Sequence, residues 1–149
     1  MLKNIKSANL NGRCAIILLI LNLLAFNCAF SQDIESQINE LNAALGTEYE
    51  VGKKGKMLIV KAFREGKQMK LEQVNVFDLD IESLTYSEVD ATVSVKCYSD
   101  LDGCVQQTFL LDKKKSYRKR LVFEVVGTES GKAMEEKLRA LLEEIIKNK

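Results

Sequence analysis

Cys97 and Cys104 are the two residues of this chain whose chemistry is easiest to name. They flank Tyr98-Ser-Asp-Leu-Asp-Gly103, a turn in which Asp side chains bond nearby backbone N–H groups and Gly accepts a positive φ. Val89 to Leu111 reads as two strands around that turn, with a disulfide between Cys97 and Cys104. The alternative is two free thiols packed as small apolar groups. Setting the cysteines opposite each other would put Val95 against Gln106, whereas the hydrophobic pattern puts Val95 against Val105. A one-residue slip exchanges faces, so either a bulge near Gly103 intervenes or the cysteines lie outside the regular ladder. They are too far apart for a Cys-x-x-Cys redox pair, and neither opens a helix that would lower its pKa.

Other chemistry is limited by what is missing. The chain has no histidine, which excludes Ser-His and Cys-His nucleophile pairs and His-ligated zinc. No Gly-rich phosphate motif stands between a strand and a helix. Asp78, Asp80 and Glu82 alternate and would present three oxygens on one side of an extended backbone; Asp100 and Asp102 do the same in the turn. A Ca²⁺ loop needs more ligands at fixed spacing, so these read as a solvated acidic edge and an Asp-rich turn. The residues assign no catalytic position, no metal and no cofactor. An enzyme would have to rely on carboxylates, Lys, Tyr or the two cysteines; the enzyme alternative is a carboxylate-dependent hydrolase, which needs a concave pocket gathering at least two carboxylates.

The sharpest local signal is Lys113, Lys114, Lys115, Tyr117, Arg118, Lys119 and Arg120, where six of eight consecutive residues are basic. Such a patch suits an anionic surface: phospholipid headgroups, polysaccharide or an acidic protein. The plainer reading is a solvated hairpin loop whose charge blunts a sheet edge. Asp78 to Asp90 holds five acidic residues and no basic one, an internal partner for the basic run or a means of joining neighbours head to tail.

Met1 to Ser31 has the composition of a leader. Lys3, Lys6 and Arg13 precede the apolar run Cys14 to Phe26, and Ala29-Phe-Ser31 offers small residues where a signal peptidase reads them, so cleavage is expected before Gln32. Asn22 and Asn27 interrupt a run already short for a bilayer, and a lipid anchor on Cys28 is the alternative. Processing would take the formal charge from +1 to −2 and leave only Cys97 and Cys104, in a compartment that permits disulfides. Near-neutrality argues against nucleic acid, whose binding rests on counterion release by a basic surface. Residues 32–149 then make a single α+β domain.

The elements that must hold these residues follow from periodicity. A helix is expected from Asp33 to Leu45, with Gly46 as its stop and Ile34, Ile38, Leu41 and Leu45 as its apolar stripe; Asn42 is among the positions expected to stay wet. Strands are expected at Tyr49 to Val51, Met57 to Phe63 and Gln68 to Leu79, the last bulged near Glu72-Gln73 where the apolar parity shifts. Ile81 to Glu88 reads as a connector, then come the cysteine hairpin, the basic loop and a strand from Lys119 to Val126. A helix from about Gly131 to Lys147 closes the chain, with Met134, Leu138, Leu141, Leu142 and Ile145 inward. The expected architecture is a curled antiparallel meander of about six strands flanked by N-terminal and C-terminal amphipathic helices. A pleckstrin-homology-like barrel is the alternative, and a coiled coil between the helices is a minor one.

The export junction Ala29 to Gln32, Cys97 and Cys104 around Asp-Gly, and Ala133-Met-Glu-Glu-Lys-Leu-Arg-Ala-Leu-Leu142 resemble small exported proteins of unknown function of the Bacteroidota type. A strand meander closed by one helix is similar to the pleckstrin-homology-like roll. The resemblance implies no catalytic residue. The resulting expectation is a non-catalytic exported binding or interaction domain whose ligand is unknown, with an unknown protein as partner, in the periplasm or outside the cell. The alternative is a peripheral binder of anionic envelope components through Lys113 to Arg120, with no transmembrane span after processing.

Overall fold

The computed structural model describes residues 33–148, so the leader, its cleavage point and Cys28 lie outside the described residues. The chain divides into two units, 1–35 and 36–149, and the second carries the strands and the C-terminal helix. The described chain is α+β, with every strand pairing antiparallel.

Helix α1 covers 33–45 and stops at Gly46, whose φ of 66° lies in the left-handed region that ends helices. Strands β1 (Tyr49–Lys54), β2 (Met57–Arg64) and β3 (Lys67–Asn75) form a meander; a 3₁₀ turn at Val76–Asp78 leads into β4 (Leu79–Ser87). Then come β5 (Thr92–Cys97), β6 (Val105–Phe109), β7 (Lys115–Arg118), β8 (Arg120–Glu124) and helix α2 (Thr128–Lys147). The eight strands form two sheets, β1-β2-β3-β6-β7 and β4-β5-β8. They exceed the expected six and do not close into the alternative pleckstrin-homology-like barrel.

Strands that change sheets make the corners of such a fold. The chain does so at Val76–Asp78, between β3 and β4, and at Lys119, between β7 and β8. The latter is a single bend: Lys115 to Glu124 runs as one edge, pairing first with β6 and then with β5. The cysteine hairpin is therefore not a hairpin. β5 and β6 belong to different sheets, and the register conflict between Cys97 and Cys104 disappears because neither strand reads the other.

Other local expectations are corrected. Val89 and Ala91 precede β5 in an exposed turn, Val89 being 96% exposed. Ile81 to Glu88 is no connector but most of β4, which swells between Asp80 and Thr85. Ser83 fills the gap: its hydroxyl donates to the Asp80 carbonyl at 2.6 Å and accepts the Lys96 N–H at 2.8 Å. α2 begins three residues earlier than expected and packs on β4, β5 and the 3₁₀ turn, its five expected inward residues all buried. Arg139 on that helix donates to the carbonyls of Ile81 and Leu84, and Glu135 accepts the Tyr86 N–H at 2.9 Å. The Arg139 bonds satisfy carbonyls within the bulge, and the Glu135 bond satisfies an N–H of β4, which has a ladder partner on one side only.

Asn42 is not a solvated helix position. Its amide oxygen accepts the Val51 N–H at 2.6 Å and its amide nitrogen donates to the Val51 carbonyl at 2.8 Å. One side chain thus imitates a neighbouring strand and covers part of the outer edge of β1.

Candidate ligand cleft and basic edge

Side chains alternate across a strand, so aligned residues on neighbouring strands form rows on one face of a sheet. One row at the end of the larger sheet reads Tyr49, Ala62, Lys70, Phe109 across β1, β2, β3 and β6. The next row inward reads Val51, Val60, Glu72, Gln107, Ser116. The first lines a cleft of about 480 Å³, walled also by Phe63, Arg64, Met69, Leu111, Asp112 and Glu124. The second closes the space behind it.

This inner row is polar where a core should be apolar. Glu72 is 2% and Gln107 1% exposed. Gln107 donates through Nε2 to Glu72 Oε1 at 3.1 Å, Ser116 donates its hydroxyl to Gln107 Oε1 at 3.4 Å, and Lys70 Nζ lies 3.2 Å from Glu72 Oε2. The chain Ser116–Gln107–Glu72–Lys70 ends on an ammonium in the cleft wall. A lysine has three N–H donors, and pairing with one carboxylate oxygen leaves others to meet a ligand.

Tyr49 closes the side toward the smaller sheet. Its ring meets Phe123 edge-on, with centroids 5.5 Å apart, and its hydroxyl accepts the Glu124 N–H at 3.2 Å. Burial pushes the Tyr49 phenol above its usual range; the nearby carboxylates of Glu124, Glu72 and Glu48 add to this, and the Glu124 N–H opposes it. A neutral phenol, an ammonium held by a buried carboxylate and the apolar surfaces of Phe63, Met69 and Phe109 can hold an amphipathic small molecule. Asp112 and Glu124 bring two carboxylates to the same cleft, the minimum a hydrolase would need. Asp112, however, spends one oxygen accepting the Lys114 N–H at 3.0 Å.

Neither Lys70 nor Glu72 stands out in the sequence. Their signal was the parity shift in Gln68 to Leu79, which invites a bulge at Glu72-Gln73. No irregularity occurs there; the register shift lies where Ala62 and Phe63 meet Lys70 and Gln68. The parity shifts because Glu72 occupies a core position and Leu71 lies on the opposite face.

The basic residues singled out by composition are placed as an edge. Lys113 and Lys114 lie in the turn after β6, Lys115, Tyr117 and Arg118 on β7, Lys119 at the bend and Arg120 on β8; all are exposed. This is the sheet-edge position of the plainer reading, extended over both sheets. Asp80, Lys96 and Arg120 align across β4, β5 and β8, so a strand stands between the acidic and basic runs. Among the described residues no ion pair joins them.

The Cys97 and Cys104 sulfurs stand at disulfide distance, with Cα atoms 5.8 Å apart. The bond ties the end of β5 to the start of β6 beside the Lys119 bend. The Cys97 N–H donates to the Lys119 carbonyl at 2.8 Å and the Cys104 N–H to the Arg118 carbonyl at 3.2 Å. Gly103 belongs to the same contact: a Cβ there would lie 3.1 Å from that of Tyr117.

Among the described residues no group of three or more His, Cys, Asp or Glu could hold a metal ion, and no helix is long and apolar enough to cross a membrane. The chain matches no protein-family model, no curated protein and no solved structure.

Proposed function

We propose that this chain is a non-catalytic, exported binding domain, and that the cleft over Tyr49, Ala62, Lys70 and Phe109 seats a small amphipathic ligand. The buried Glu72–Gln107 arrangement behind Lys70 carries the reading. A buried ion pair is weak support for stability, since well-packed apolar residues often do as well or better. What it supplies here is an ammonium held at a fixed point in a recess of mixed polar and apolar lining. The leader-like composition of residues 1–31 and the pairing of the two cysteines beyond them support export to the periplasm or outside the cell.

The probe is 1-anilinonaphthalene-8-sulfonate, with neutral and cationic dyes of the same size beside it. The anionic dye is expected to saturate at one site, and Lys70→Met to weaken it about tenfold, as loss of a charge-assisted hydrogen bond does. Unaltered dye binding by Phe109→Arg, which fills the recess, would remove the cleft from consideration. Mass measurement of the secreted chain checks export separately.

A second reading concerns the basic edge. None of its six cations has a carboxylate partner among the described residues, which suits a peripheral binder of anionic envelope components. Charge reversal at Lys114, Arg118 and Arg120 is expected to abolish salt-sensitive polyanion binding. Unchanged binding would reject this reading and leave the cleft untouched.

A further inference from the structure

Two hairpin tips stand side by side at the mouth of the cleft. The β2–β3 tip contributes Arg64, Glu65 and Lys67, and the β6–β7 tip runs from Leu110 to Lys114 into Lys115. The Leu110 N–H donates to the Met69 carbonyl at 3.0 Å, and Arg64 and Leu111 line the same cleft. The second tip is held in shape by the Phe109 N–H to Lys114 carbonyl bond and by the Asp112 carboxylate on the Lys114 N–H. This end carries five cations (Arg64, Lys67, Lys113, Lys114, Lys115) against two acids (Glu65, Asp112). At its apex Leu111 is 84% and Leu110 41% exposed.

Charge alone would suit any polyanion. Two adjacent leucines held out among unpaired lysines suit a surface that is negative outside and apolar just beneath, which is a phospholipid bilayer rather than a polysaccharide or an acidic protein. We propose that this end docks on anionic phospholipid, with Leu110 and Leu111 entering the acyl boundary and the lysines remaining among the headgroups. The proposal rests on the peripheral-binding reading above and adds its partner and its point of entry. The mouth of the cleft would then open at the membrane surface.

The chain contains no tryptophan, so Leu111→Trp places the one tryptophan at the apex, where it can be excited selectively beside the tyrosines. With vesicles of phosphatidylglycerol in phosphatidylcholine, its emission is expected to shift to the blue, to be quenched by brominated acyl chains, and to recover in salt. Phosphatidylcholine alone should do none of this. Leu111→Ser is expected to weaken binding about tenfold, and each of Lys113→Glu and Lys114→Glu by at least about fivefold. The reporter reads this position alone, so vesicle contact elsewhere on the chain leaves it unmoved. Because position 111 is exposed, both variants should keep the parent's thermal midpoint, and the lysine variants test the same end independently. Binding that persists without a spectral change, that ignores Leu111→Ser, or that polyphosphate reproduces overturns insertion while leaving the peripheral reading intact. Absence of both vesicle and polyphosphate binding overturns the two together.

Discussion

Cys104 donates its backbone N–H toward the sulfur of Cys97 at 3.1 Å and toward the carbonyl of Arg118 at 3.2 Å. Cys97 ends β5 of one sheet, Cys104 immediately precedes β6 of the other, and both rest against one bend. Their bond spans a junction that the turn between them and the backbone hydrogen bonds to the Arg118–Lys119 bend also hold.

The loop it closes is short, with a sequence separation of seven. Chain-entropy arguments put the contribution of such a loop at about 2.5 kcal/mol. Cys97→Ala with Cys104→Ala, or reduction of the parent, is expected to lower the urea midpoint accordingly without abolishing the fold. Coincident unfolding curves for oxidised and reduced protein would contradict this.

The buried row offers a test by single and triple substitution. Gln107→Leu removes the donor to Glu72 Oε1 and is expected to cost about 1–3 kcal/mol. Lys70→Met strips a buried carboxylate of its cation. Breaking a fully buried pair costs about 3–5 kcal/mol, and partial exposure of Lys70 places this case at or below the lower end. Replacing Lys70, Glu72 and Gln107 together by Met, Leu and Leu should recover most of both losses while removing dye binding. Denaturant titration of the four proteins decides it; a triple variant that loses as much as the two single variants together would mean that the row is not one unit.

Tyr49 makes stability depend on alkaline pH. Its phenol titrates higher in the folded chain than in the unfolded one, mainly through burial, so folding favours the protonated form. That contribution is fully present below the ordinary tyrosine value near 10 and is lost as pH rises through the folded value. Phenolate absorbance should therefore show a late-ionising component in the parent that Tyr49→Phe lacks. The variant's stability should also fall less steeply above about pH 10. Identical titration curves would count against this placement of the ring.

Gly131 lies under the ring of Tyr86, where an added Cβ would come within 2.2–2.5 Å of three ring atoms. Alanine in place of a helical glycine normally gains up to about 1 kcal/mol. Here the clash is expected to win, leaving Gly131→Ala destabilised by about 1–2 kcal/mol, within the usual cost of overpacking. In a Tyr86→Ala background the same change should become stabilising. Thermal melts of the four combinations report the sign reversal, and its absence would show that the ring moves aside freely.

Where the fold depends on short-range pattern, the residues announce it. Gly46 ends α1, Glu65-Gly66 turns β2 into β3, and the inward face of α2 is the one its spacing describes. Partner choice between strands is not short-range. β5 looks like half of a hairpin because an Asp-Gly turn leads from it into β6, yet its ladder partners are β4 and β8, the latter more than twenty residues away. The candidate cleft was hidden for a related reason. A carboxylate in a core position and a bulge leave the same trace in an alternating pattern, and only the register of β3 against β2 and β6 separates them.

The bend at Lys119 also governs how the chain tolerates changes in length. One extra residue there would turn Leu121 and Phe123 outward, or else displace Ser116 and Arg118 against β6, because a single run is indexed to two frames at once. The Leu110–Lys114 tip carries no such obligation. The fold should therefore tolerate insertions and deletions at the tip and not at the bend, leaving one margin of the molecule elastic and the other of fixed length.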